Sequence, residues 1–222
     1  MIASDAAPNV DALRRMLRER FPGAHVALPP EGEAGRKREE DPARGLGSVM
    51  EPGKIVEVVA ERPGCGGALW IGEVLRQLAR EDRVLGLIDG RDSFDPDSHG
   101  AAACRQLFWV RCRDAAEAVQ AADLLLRDGN VPDLILDLQL NPAEELRELR
   151  RGIWHRFRTL AERSGAGMAV LTAGTWVTGA HRRFRLEGRH RTGDWDEDRA
   201  RLAGARGLRL VHSRGGGGDC GT

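Results

Sequence analysis

Lysine is nearly missing from this chain: all but two of its 34 basic residues are arginine, the exceptions being Lys37 and Lys54. Any chemistry that needs an ammonium group is thereby confined to two positions. Tyrosine is absent; with the arginine dominance and the abundance of Ala and Gly, this reads as codon bias and carries no function. Net charge is also lacking, since 34 acidic residues balance 34 basic ones, so no overall field points to nucleic acid or a membrane surface and only local patches remain. No apolar run approaches the ~20 residues that span a bilayer, and the N-terminus has no basic, long-apolar, small-residue signal pattern. The four cysteines, Cys65, Cys104, Cys112 and Cys220, show neither a Cys-x-x-Cys pair nor zinc spacing with histidine. The expectation is a reduced, cytoplasmic protein, neither secreted nor membrane-spanning.

What is present is organised around residues 55–71. Ile55-Val56-Glu57-Val58-Val59 is a β-branched run that breaks into the Pro/Gly-rich loop Ala60-Glu61-Arg62-Pro63-Gly64-Cys65-Gly66-Gly67. Ala68, Leu69, Ile71, Val74, Leu75 and Leu78 then repeat at the spacing of a buried helix face. Strand, glycine loop and helix form the layout in which backbone N–H groups and a helix N-terminus hold a phosphate. The Gly-Lys-Ser/Thr ending of that motif is missing. In one register the Lys and hydroxyl positions fall on Gly66 and Gly67; slid by one, they fall on Gly67 and Ala68. Neither register supplies the lysine for the β/γ-phosphates or the hydroxyl for Mg²⁺. Lys54 stands at the wrong end of the strand, roughly 17 Å away at ~3.3 Å per residue. Lys37 lies in a linker, and Arg62 is either a solvated loop charge or a phosphate ligand. Two readings stay open for the loop, a Gly-rich turn in a doubly wound domain or a nucleotide site.

At 222 residues the chain suits one α/β domain with a small appendage, burying roughly 70% of its unfolded surface. Residues 1–26 are read as an amphipathic N-terminal helix. Asn9 is its cap, and Val10, Leu13, Leu17 and Phe21 form a stripe. That stripe docks either on its own body or on another molecule. Residues 27–53 read as a linker, 54–213 as the core and 214–222 as a disordered tail. Within the core, strands are expected at 83–89, 107–110, 134–138 and 168–172. They alternate with helices at 68–80, 115–127 and, in one long piece, from Asn141-Pro142 to about Arg163. That alternation predicts an α/β fold with a mainly parallel sheet covered on both faces. Arg183–Leu186 and Leu208–Val211 are expected as edge strands, an antiparallel pairing being one option.

Several segments, in order, resemble the RecA-like recombinase core. They are Pro52-Gly53-Lys54-Ile55-Val56-Glu57-Val58, Leu87-Ile88-Asp89-Gly90-Arg91-Asp92-Ser93-Phe94-Asp95-Pro96, the strand and helix over 107–126, and Asp133-Leu134-Ile135-Leu136-Asp137. The resemblance runs from about Met50 to Thr172. It implies a RecA-like fold with a short N-terminal helix and C-terminal edge strands. It also implies that Asp137 occupies the place of a metal-linked aspartate, and that Arg91 replaces the glutamate that positions the attacking water. Arginine, a permanent cation, cannot act as that base.

A RecA-like core with a broken phosphate loop and short loops after Asp137 and Thr172 is similar to the ImuA-type accessory proteins of bacterial mutagenic repair. Phe108-Trp109-Val110-Arg111-Cys112-Arg113-Asp114-Ala115 and Asp137-Leu138-Gln139-Leu140-Asn141-Pro142 add to the likeness. The resemblance implies a non-catalytic scaffold in SOS-type DNA damage and translesion synthesis. Its partners would be an inactive Y-family-like protein, an error-prone replicative-type polymerase and RecA itself, and it would need no cofactor. On this reading Arg62, Gly64, Cys65, Gly66 and Gly67 are a vestigial phosphate loop. Val10, Leu13, Leu17 and Phe21 would be the partner helix. The alternative is an ATP-binding or weakly hydrolysing protein that binds single-stranded DNA through Arg182, Arg183, Arg185, Arg189 and Arg191. The plainer role for those arginines is a solvated surface strand balanced by Glu187, Asp194, Asp196 and Glu197.

Overall fold

The computed structural model describes residues 49–62, 64–150, 152–187 and 207–213. The expected N-terminal helix with Val10, Leu13, Leu17 and Phe21 lies outside them, as do Arg189, Arg191, most of the linker and the tail. In chain order the elements are β1 (Ile55–Val59), α1 (Gly67–Arg80), β2 (Leu85–Asp89), α2 (Gly100–Ala103), a 3₁₀ turn over Cys104–Gln106, β3 (Leu107–Arg111), α3 (Ala115–Asp128), β4 (Asp133–Asp137), α4 (Ala143–Glu148), α5 (Ile153–Ser164), β5 (Gly167–Thr172), β6 (Arg182–Glu187) and β7 (Gly207–Ser213). The strands form one seven-stranded sheet in the order β3-β2-β4-β5-β1-β6-β7. All pairings are parallel except β6 with β7. It is an α/β fold consistent with a RecA-like architecture.

Side chains alternate between faces along a strand, and the central strands are apolar on both. Leu134, Leu136, Met168 and Val170 pack with Ala118, Ala122 and Leu125 of α3 and Phe157 and Ala161 of α5. Ile135, Ala169, Leu171, Val56 and Val58 pack on the other face with Trp70, Ile71, Val74, Leu75 and Leu78 of α1. Uninterrupted apolar runs such as Leu134-Ile135-Leu136 therefore result from double coverage. Trp154 and Phe157 are core residues, meeting edge to face at 6.0 Å.

Local signals set most boundaries. The Asp114 carboxylate accepts from Glu117 N at 2.8 Å and starts α3, and Gly129, at φ 71°, ends it in the left-handed conformation. Two expectations need correction. The single long helix is two: after Glu148 the chain turns extended at Leu149 (φ −60°, ψ 139°) and restarts beyond Gly152. Glycine is among the poorest residues for helix continuity. The last strands pair antiparallel with each other as one option had it, but β6 is not an edge: it lies inside the sheet, parallel to β1, and β7 alone takes the edge. The end of the expected linker joins the core: Val49 is buried, and Gly53 N donates to the carbonyls of Gly165 and Ala166.

Candidate functional site

The glycine loop sits at the C-terminal end of β1, where a parallel sheet presents its ligand crevice. Ala60 N donates to Thr172 O at 2.7 Å and carries the β1–β5 ladder one residue further. The chain then leaves the sheet. Gly64 (φ 79°) and Gly66 (φ 109°) adopt backbone conformations that a side chain resists. Cys65 N donates to Arg62 O, and Trp70 N donates to Gly66 O to open α1. No side chain caps this helix, and its first turn carries no acid. The first backbone amides of α1 are thus left without a capping side chain.

The space beside Gly67 is occupied by a protein side chain. A Cβ added to Gly67 would stand 2.1 Å from Gln139 Oε1 and 3.1 Å from Gln139 Cδ, with Leu171 Cδ2 at 3.3 Å. Gly67 is one of the two defective positions in either register of the motif, so the space where a functional side chain would begin is held by the Gln139 amide. Sequence reasoning assigns Gln139 no role. The one signal available to it is a pair of consecutive glycines, Gly66 and Gly67, at a helix start, which asks what needs so much room.

Asp137 sets the direction of that side chain. Its Oδ1 accepts from Gln139 N at 3.0 Å, and Leu138 N donates to Leu171 O at 2.8 Å. The chain after β4 is thereby turned across the end of β5 toward α1. Burial pushes the Asp137 carboxyl up to about 7; the Gln139 backbone N–H opposes the shift and the nearby Asp89 carboxylate adds to it. Asp89 and Asp137 are register partners at the ends of adjacent strands. Asp89 is itself engaged in the next turn, accepting from Phe94 N at 2.7 Å and from Arg91 N and Ser93 Oγ at 3.3 Å. No group of three or more His, Cys, Asp or Glu suited to a metal occurs among the described residues.

Arg91 is tied down on the far side. Its guanidinium donates to Arg113 O at 3.1 Å and pairs with Glu145 at 3.2 Å. Glu145 also accepts from Ala115 N at 3.0 Å and Asn141 Nδ2 at 2.9 Å. The arginine thus joins the turn after β2 to α3 and α4. Three strand spacings of ~4.8 Å separate β2 from β1, roughly 14 Å, so this side chain serves the frame and not the loop.

The described arginines of β6 are paired as well. Arg182 meets Glu51 at 2.9 Å and Arg185 meets Glu61 at 3.0 Å. Arg183 donates to the Glu57 carboxylate and, at 3.2 Å, to Val177 O. Glu57 is fully buried in mid-strand and also accepts from Trp176 N at 2.6 Å, Val177 N at 2.9 Å and Thr172 Oγ1 at 3.3 Å. The loop after β5 is therefore anchored on one carboxylate beneath the glycine loop. A lone acid inside Ile55–Val59 is the sequence signal for it.

Among the cysteines, Cys65, Cys104 and Cys112 are free thiols. Burial pushes Cys112 up to about 11, outside the range of a nucleophile at neutral pH. Among the described residues no helix is long and apolar enough to cross a membrane. Set beside known proteins, the chain matches no protein-family model and no curated sequence.

Proposed function

We propose that this protein is a non-catalytic, RecA-like scaffold of the bacterial SOS-type DNA-damage response. It would act in the cytoplasm, through protein–protein contacts, in error-prone translesion synthesis. The damage-response setting rests on the resemblance of the ordered segments over 50–172. The observation that carries the non-catalytic part is the Gln139 amide lying over Gly67. A magnesium–triphosphate does not fit the residues present. It would meet the Gln139 side chain beside Gly67, no lysine and no hydroxyl at Gly67.

DNA contact is the weaker reading. Arg182, Arg183 and Arg185 each already hold a carboxylate, and neutralising a phosphate would cost them that partner. The partners proposed are an inactive Y-family-like protein, an error-prone replicative-type polymerase and RecA. The test is co-elution of the purified chain with each of them on size exclusion, with and without ATP. A nucleotide-independent complex with at least one is expected. Free migration of every component, or a complex formed only with ATP, would sink the scaffold reading.

A further inference from the structure

A cavity of about 290 Å³ opens at the end of the sheet opposite the glycine loop, lined by Lys54, Ile55, Arg158, Glu162, Gly179 and His181. Its walls come from three separate places: the residue before β1, one face of α5, and the segment leading into β6. Lys54 is one of only two lysines in the chain, and among the described residues its ammonium makes no hydrogen bond or ion pair. Arg158 and Glu162 are one helical turn apart, yet Arg158 directs Nη2 to His155 Nδ1 at 2.8 Å instead. His181 Nε2 stands 3.5 Å from Glu51, which is shared with Arg182. An ammonium, a guanidinium and an imidazole thus line one small polar space, where Glu162 is the one lining acid among the described residues.

We infer that this cavity binds a small tetrahedral oxyanion, a free phosphate or the phosphate group of a small metabolite, between Lys54, Arg158 and His181. The volume admits such a group with its water and is at the lower limit for a drug-sized ligand. An ammonium and a guanidinium from different elements are a sufficient donor set for phosphate. His181 gives the site a pH dependence. Burial holds its imidazole below the ordinary value, Lys54 and Arg182 push it the same way, and Glu51 opposes them. It is therefore neutral at pH 7.5 and gains charge on acidification, and an anion in the cavity stabilises the charged form.

The test uses the full chain and sodium sulfate, whose charge is constant over the range, titrated at fixed ionic strength against chloride. His181 ring signals are followed by NMR. Saturable binding at about 1 mM or tighter is expected, with affinity rising about threefold or more between pH 7.5 and 5.5 as His181 protonates. Lys54→Met should abolish binding. His181→Gln should retain it and lose the pH dependence, which separates the imidazole from Glu51 and Glu162. Glycerol phosphate forms the second arm: tighter binding than sulfate identifies an organic phosphate, and equal binding a free anion. Equal response to sulfate and chloride, non-saturable binding, or unchanged affinity in Lys54→Met would overturn the assignment.

Discussion

Gly67 begins α1 without a Cβ, although an alanine at a helix position normally gains up to about 1 kcal/mol over glycine. An alanine Cβ there would stand 2.1 Å from the flexible end of Gln139, Oε1, and 3.3 Å from Leu171 Cδ2. It makes a quantitative prediction. Gly67→Ala should be neutral or destabilising in the natural chain and stabilising by about 0.5–1 kcal/mol once Gln139 is Ala. The coupling in a double-mutant cycle of urea unfolding would then be about 1 kcal/mol. Additive effects would mean that the Gln139 side chain moves aside at little cost. On the non-catalytic reading proposed above, the same contact accounts for a motif that keeps its glycines without the lysine and the hydroxyl.

At the scale of elements, β1 is both a central strand and the anchor for the loop after β5. Glu57 is fully buried, and its partners come from Thr172, the Trp176-Val177 backbone and Arg183. Removing one member of a buried pair leaves an uncompensated charge and costs about 3–5 kcal/mol. Arg183→Ala should therefore lower unfolding free energy by about 3 kcal/mol, and Glu57→Gln added to it should restore part of that loss. A loss below about 1 kcal/mol would show that solvent reaches the pair. Loss of DNA binding in Arg183→Ala would then need to be separated from loss of fold.

Elements also differ in how far they are legible in the sequence. Strands β1, β2, β4 and β5 and helices α1 and α3 announce themselves through continuous apolar runs, helical spacing, the Asp114 cap and the Gly129 stop, all of which are local. The break at Leu149 to Gly152 is less legible, because Leu146, Trp154 and Phe157 keep apolar residues coming on both sides of it. The direction of β6 is set by pairing with β1, more than a hundred residues earlier, and no local signal encodes it. The position of Gln139 over Gly67 belongs to the same class, a contact between loops that only the sheet order brings together.

For the whole molecule, the sheet is closed in by helices on both faces and its two ends differ. At the C-terminal end of the strands the Gln139 side chain lies beside Gly67, and the Asp137 carboxylate accepts from Gln139 N. At the opposite end Lys54, Arg158 and His181 line an open polar cavity. The charge of the chain balances overall, and its β6 arginines are matched by Glu51, Glu57 and Glu61. On the scaffold reading, what the fold offers a partner is shape. That conclusion depends on the glycine loop being filled from within, and titration of the purified full chain with a non-hydrolysable ATP analogue, with and without Mg²⁺, tests it most directly. The account predicts no saturable heat or fluorescence change up to about 1 mM nucleotide, whereas a Mg²⁺-dependent Kd below about 100 μM would contradict it.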